Sequence, residues 1–102
     1  MKPENTKAIK DVVAERKRQV EGEGFHAQHD DDHDNMELTK AAIAYCLASY
    51  TTPVDPKGYW PWSWKWWKPK SPRENLVRAA ALLIAEIERL DRAAPRKDVE
   101  NG

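Results

Sequence analysis

Two stretches of this 102-residue chain concentrate the side chains that do chemistry. The first is the acidic segment ahead of Asp34, where His26, His29 and His33 stand among Asp30, Asp31, Asp32 and Asp34. Imidazole supplies a neutral, borderline-soft donor and carboxylate supplies charge, the mixture that Zn, Mn and Fe sites use. His29 and His33 are four positions apart and would share one face of a helix. His29, Asp30, Asp31 and His33 are therefore candidate ligands for a divalent metal (Zn, Mn or Mg). The competing expectation is a solvated acidic loop whose Asp side chains make turns and cap the following helix, since an H-E-x-x-H spacing is absent.

The second stretch is Tyr59 to Lys70, in which Trp60, Trp62, Trp64, Trp66 and Trp67 alternate with small or basic residues and Lys65, Lys68 and Lys70 sit beside them. Aromatic faces next to ammonium groups hold bases and nucleotides by stacking and phosphate attraction. Trp60, Trp62, Trp66, Trp67, Lys65 and Lys68 are the candidate ligand-binding set, with Arg16 and Arg18 of the first helix reaching toward the same cleft. Against this stands packing: a small domain has few other large apolar side chains, and tryptophans that fold back would complete its core. A membrane-surface role is not expected, because the stretch lacks a helical amphipathic period.

Three helices must position these segments. Ile9, Val12, Val13 and Val20 recur at helical spacing and predict an amphipathic helix from Thr6 to about Glu21, with Asn5 or Thr6 as its cap and Gly22 and Gly24 near its end. Asp34 and Glu37, three apart, read as a capping box that begins a second helix at Asp34, ahead of the apolar run Leu38 to Leu47, and its sparse charges predict the centre of the bundle. Ser71, Pro72 and Glu74 fit N-cap, N1 and N3 of a third helix that Pro95 ends. Along it Leu76, Ala80, Leu83, Ile87 and Leu90 alternate spacings of four and three and predict one buried stripe, widened by Val77, Ala81 and Ile84. The expected fold is all-α, a three-helix bundle with a long Pro- and Trp-rich loop between helices 2 and 3, in a single domain over residues 1–102 with a frayed tail over 96–102. Because the third stripe needs a partner, homo-oligomerisation is a further expectation.

Composition narrows the classes. The 17 basic residues balance 17 acidic ones, so no global field draws the chain to nucleic acid or an anionic membrane. No apolar run approaches the ~20 residues that cross a bilayer, and the polar start Met1 to Lys10 predicts no secretory leader. Cys46 is the single cysteine, which excludes an internal disulfide and a multi-cysteine zinc site. It lies in an apolar run without basic neighbours, predicting a buried, inert thiol in a reducing compartment.

Taken in order, Glu15-Arg16-x-Arg18-Gln19, Glu23-Gly24-Phe25, His29-Asp30-Asp31-x-His33, Glu37-Leu38, Ala41-Ala42, Trp60-Pro61-Trp62, Trp66-Trp67-Lys68-Pro69 and the run from Leu76 to Arg92 resemble a family of small phage and prophage proteins of unassigned activity. That resemblance implies expression in the cytoplasm of a bacterial host. A weaker similarity reaches the MazG-like all-α nucleotide pyrophosphohydrolases, which hold Mg²⁺ with paired acidic motifs on two helices. It implies Glu88 and Asp91 as a second motif, while the second helix offers Glu37 alone for the first. Three functions follow as expectations. One is a binding protein for a nucleotide-like ligand or a host protein, interfering with host defence. The others are a metal-dependent nucleotide hydrolase and an oligomerising interaction protein. Binding is favoured, since catalysis needs a recognisable nucleophile, base or open metal site.

Overall fold

A computed structural model describes residues 2–22, 36–49 and 56–93. Among them are three α-helices and no strand: α1 (Lys7–Gly22), α2 (Glu37–Ala48) and α3 (Pro72–Ala93). Short 3-10 turns lie at Pro3–Asn5, Pro56–Gly58 and Trp64–Trp66. The all-α class with three helices and a long loop before α3 is as the sequence predicts.

Thr6 starts α1. Its hydroxyl oxygen accepts from Ile9 N–H at 3.2 Å while its own O–H donates to the Pro3 carbonyl at 3.0 Å. This relieves one of the unpaired amides that every helix start exposes. The start of α3 also follows the sequence: Glu74 N–H donates to Ser71 Oγ at 3.3 Å, and Ser71 O–H donates to Glu74 Oε1 at 2.8 Å. The start of α2 does not. Glu37 is its first residue, and the N-cap position is Met36 in the left-handed region at φ 68° with no side-chain cap. Asp34, the expected cap, lies outside the described residues.

Ala48 and Tyr45 face Asn75 and Arg78 in turn, so α2 runs antiparallel to α3. Asp11, Glu15 and Arg16 meet Arg73, Arg78 and Glu88 in rising order, so α1 runs parallel to α3. The central element is α3, not α2 as its sparse charges suggested, because α3 packs on both other helices while α1 and α2 hardly touch. The sequence reading missed this because α2 hides its apolar surface under the Trp loop as well as against α3.

The core is Leu38, Ala41, Ala42, Ala44 and Tyr45 of α2, Ala79, Leu82 and Ala85 of α3, and Trp60 of the loop. Alanines on both helices let the backbones approach closely, which leaves room for an indole at the end of the interface. The stripe predicted to be buried on α3 is turned to the other side. Leu76, Leu83, Ile87 and Leu90 are exposed, and the buried residues are Asn75, Ala79, Ala81, Leu82 and Ala85; of the predicted face only Ala81 is buried, with Val77, Ala80 and Ile84 half-buried. Ile9 and Val13 of α1 are likewise exposed, while Gln19 is its buried residue. The exposed large side chains set the period read from the sequence, whereas alanines and Leu82 make most of the buried contact of α3.

Candidate functional site

The tryptophan loop is first a structural plug. Trp60 is 9% exposed and donates its indole N–H to the Ser63 carbonyl at 3.1 Å. Tyr45 and Trp62 approach it edge-on with ring centres 5.5 and 5.3 Å away, and Trp67 lies 4.8 Å from it and 4.7 Å from Tyr45. Edge-to-face and tilted contacts of this kind add stability beyond area burial. Trp64 stacks over Trp60 at 6.4 Å and remains half exposed. Of the candidate set, Trp60 and Trp67 therefore gather on Tyr45, and Trp62 packs on Trp60.

Trp66 is placed differently. It is 54% exposed, with Lys65 Nζ 5.1 Å and Lys68 Nζ 5.9 Å from its ring centre. Cations at such distances are attracted by the ring quadrupole and make Trp66 a positively flanked platform. The backbone after it is pinned at four groups, the amide and carbonyl of Lys68 and those of Lys70. Lys68 N–H donates to Tyr45 Oη at 3.3 Å, Arg78 Nη1 donates to that oxygen at 3.2 Å, and Arg78 also reaches the Lys68 carbonyl at 3.4 Å. Lys70 N–H donates to Asn75 Oδ1 at 2.6 Å, and Asn75 Nδ2 reaches the Lys70 carbonyl at 3.2 Å.

This pinned segment delivers Lys70 to a groove of about 380 Å³ between α1 and the first half of α3. Its walls carry four cations (Arg18, Lys70, Arg73 and Arg78) and three carboxylates (Asp11, Glu15 and Glu74). The carboxylates hold the guanidinium groups in place: Arg73 Nη1 lies 2.9 Å from Asp11, Arg18 makes a two-pronged contact with Glu15 at 2.8 and 2.7 Å, and Arg78 Nε is 3.5 Å from Glu15. Burial works to raise the Glu15 pKa, but Arg18, Arg78 and Gln19 outweigh it, and the carboxyl stays below its ordinary range. The Asp11 carboxyl is lowered by hydrogen bonds from Lys7 and Arg73, and that of Glu74 chiefly by the Ser71 hydroxyl. All three acids thus stay ionised at neutral pH and keep the cations oriented.

Arg18 lines the groove, whereas Arg16 is turned along α1 to Glu88, donating through Nε and Nη2 at 3.1 and 2.8 Å to one carboxylate oxygen. That contact bears on the acidic pair Glu88 and Asp91. Glu88 is engaged through one of its two carboxylate oxygens, and among the described residues no three His, Cys, Asp or Glu side chains gather as metal ligands. His29, Asp30, Asp31 and His33 lie outside the described residues. Cys46 is half-buried against the core rather than fully enclosed, and burial pushes its thiol pKa up, away from reactive thiolate.

Sequence reasoning did not find Lys70, Arg73, Arg78 or Asn75 as site residues. The parallel packing of α1 on α3 is what turns Arg73 and Arg78 into a groove wall. No protein family, curated protein or solved structure matches the chain. No described helix is long and apolar enough to cross a membrane.

Proposed function

We propose that the chain is a small binding protein for an anionic, nucleotide-like ligand. The observation that carries this reading is the groove, in which two helices and the pinned end of the Trp loop converge four cationic side chains on one concave surface. Arg73 and Arg78 present planar forks suited to phosphate oxygens, and Lys70 adds a point charge. Trp66, two residues before Lys68 and flanked by two ammonium groups, offers the stacking face for a base. The carboxylates keep the groove close to neutral overall, so a ligand is selected by the arrangement of donors and not by bulk attraction. Together with the resemblance to phage proteins, such binding would serve to sequester a nucleotide signal of the host's defence.

The test is a titration of tryptophan emission with nucleoside monophosphates, triphosphates and cyclic nucleotides, with and without Zn²⁺ or Mn²⁺. Binding at micromolar Kd is expected, weakened at least ~10-fold by Trp66→Ala and by Lys70→Ala, with affinity falling as salt rises. Absence of saturable binding up to millimolar nucleotide, with or without metal, rejects the reading.

A further inference from the structure

The outer face of α3 carries an exposed apolar series that the fold does not use. Leu76, Leu83, Ile87 and Leu90 are 37, 41, 57 and 52% exposed, and Ala80 completes their series. Scattered apolar residues on a surface need no explanation, but these five alternate spacings of four and three over four turns of one helix. That is the heptad spacing by which one helix inserts side chains into holes on another, and it is sustained where the described helices do not use it. The α1–α3–α2 arrangement leaves this side of the central helix open among the described residues, which is where the fourth helix of a bundle would lie.

We infer that this face is the seam of a two-fold dimer, in which α3 of one copy packs antiparallel on α3 of a second. Charge fixes the direction. Arg73 continues the seam one step before Leu76, and the exposed Asp91 flanks it beside Leu90 at the opposite end. A parallel pair would set Arg73 against Arg73 and Asp91 against Asp91. An antiparallel pair sets Arg73 beside the partner's Asp91 at both ends and opposes the two helix dipoles. Arg73 already reaches Asp11 on its own chain at 2.9 Å, yet its side chain is 52% exposed and a guanidinium has five N–H donors to share. In heptad register Ala80 and Leu83 sit nearest the two-fold axis and Leu76 meets the partner's Ile87. The surface is self-complementary, as a closed two-fold contact requires.

Sedimentation equilibrium of the full chain at about 100 μM, far above a micromolar Kd, tests the dimer. The wild type is expected at twice the 11.8 kDa chain mass, and Leu83→Glu and Ile87→Glu at the chain mass with unchanged helical circular dichroism. Both positions are exposed in the single chain, so both variants should fold. A monomeric wild type overturns the proposal, and so does a dimer that survives both substitutions. Direction is read by oxidative cross-linking of single cysteines in a Cys46→Ala background. Leu83→Cys, beside the axis, should form a disulfide-linked dimer and Leu90→Cys should not. Cross-linking of both overturns the antiparallel seam.

Discussion

Three side chains carry more of this fold than their types suggest. Asn75 is 2% exposed and satisfies the amide and carbonyl of Lys70 and the carbonyl of Ala48, tying the loop's exit to two helices. Asn75→Ala removes the partner of these part-buried groups, so a loss of about 1–3 kcal/mol is expected from urea denaturation. Ser71→Ala removes a cap that is exposed and local, and should cost about 1 kcal/mol in the same measurement. An unchanged midpoint for Ser71→Ala would mean the cap carries nothing. The contrast between these two residues shows what a sequence displays. Ser71 does its work within four residues along the chain, so spacing reveals it. Asn75 does its work between elements, and an amide within a helix gives no sign of which distant carbonyl it meets. Tyr45 is of the second kind, since its hydroxyl accepts from both Lys68 and Arg78 only after the loop has folded back.

The two helices that flank α3 are held by different forces. An apolar and aromatic interface holds α2, whereas the contact with α1 runs through Arg73–Asp11, Arg78–Glu15 and Arg16–Glu88. The lowered Glu15 carboxyl gives the pH dependence its sign. A group whose pKa is lower in the folded state than in the unfolded one stabilises above the unfolded value, and that stability is lost as pH falls through the folded value. Acidification through and below about pH 4, the ordinary carboxylate range, should therefore release α1 first. Amide hydrogen exchange should show residues 7–22 losing protection before α2 and α3, and loss in the reverse order would refute this division. Helix identity and the caps of α1 and α3 were legible from spacing because they depend on neighbours in sequence. Which stripe of α3 faces inward was not, because alanines opposite alanines pack closely while leaving little hydrophobic signal. The groove was not legible either, since its cations belong to two helices and the end of the Trp loop, and no local pattern encodes how these pack.

At the scale of the whole molecule, the Trp loop supplies aromatic mass that three short helices lack. Trp60→Ala should cost about 3–5 kcal/mol, the usual range for emptying a buried aromatic site. Its thermal transition should fall accordingly, and a shift of only a degree or two would show that the loop is ornament. The emission of the native protein should combine a blue-shifted majority with a red-shifted component from Trp64 and Trp66, both about half exposed. Trp66→Ala should remove mainly the red component. The same crowding of rings has an optical consequence. Indoles of Trp60 and Trp67 with centres 4.8 Å apart, tilted at 59°, do not absorb independently; their transition dipoles couple and split into two bands of opposite rotational strength. The far-ultraviolet circular dichroism of this protein is then a helix spectrum with an exciton couplet laid over it. Helix content read from a single wavelength will be in error by the couplet's amplitude, and Trp60→Phe, which keeps a ring but breaks the degeneracy, isolates that amplitude as a difference spectrum.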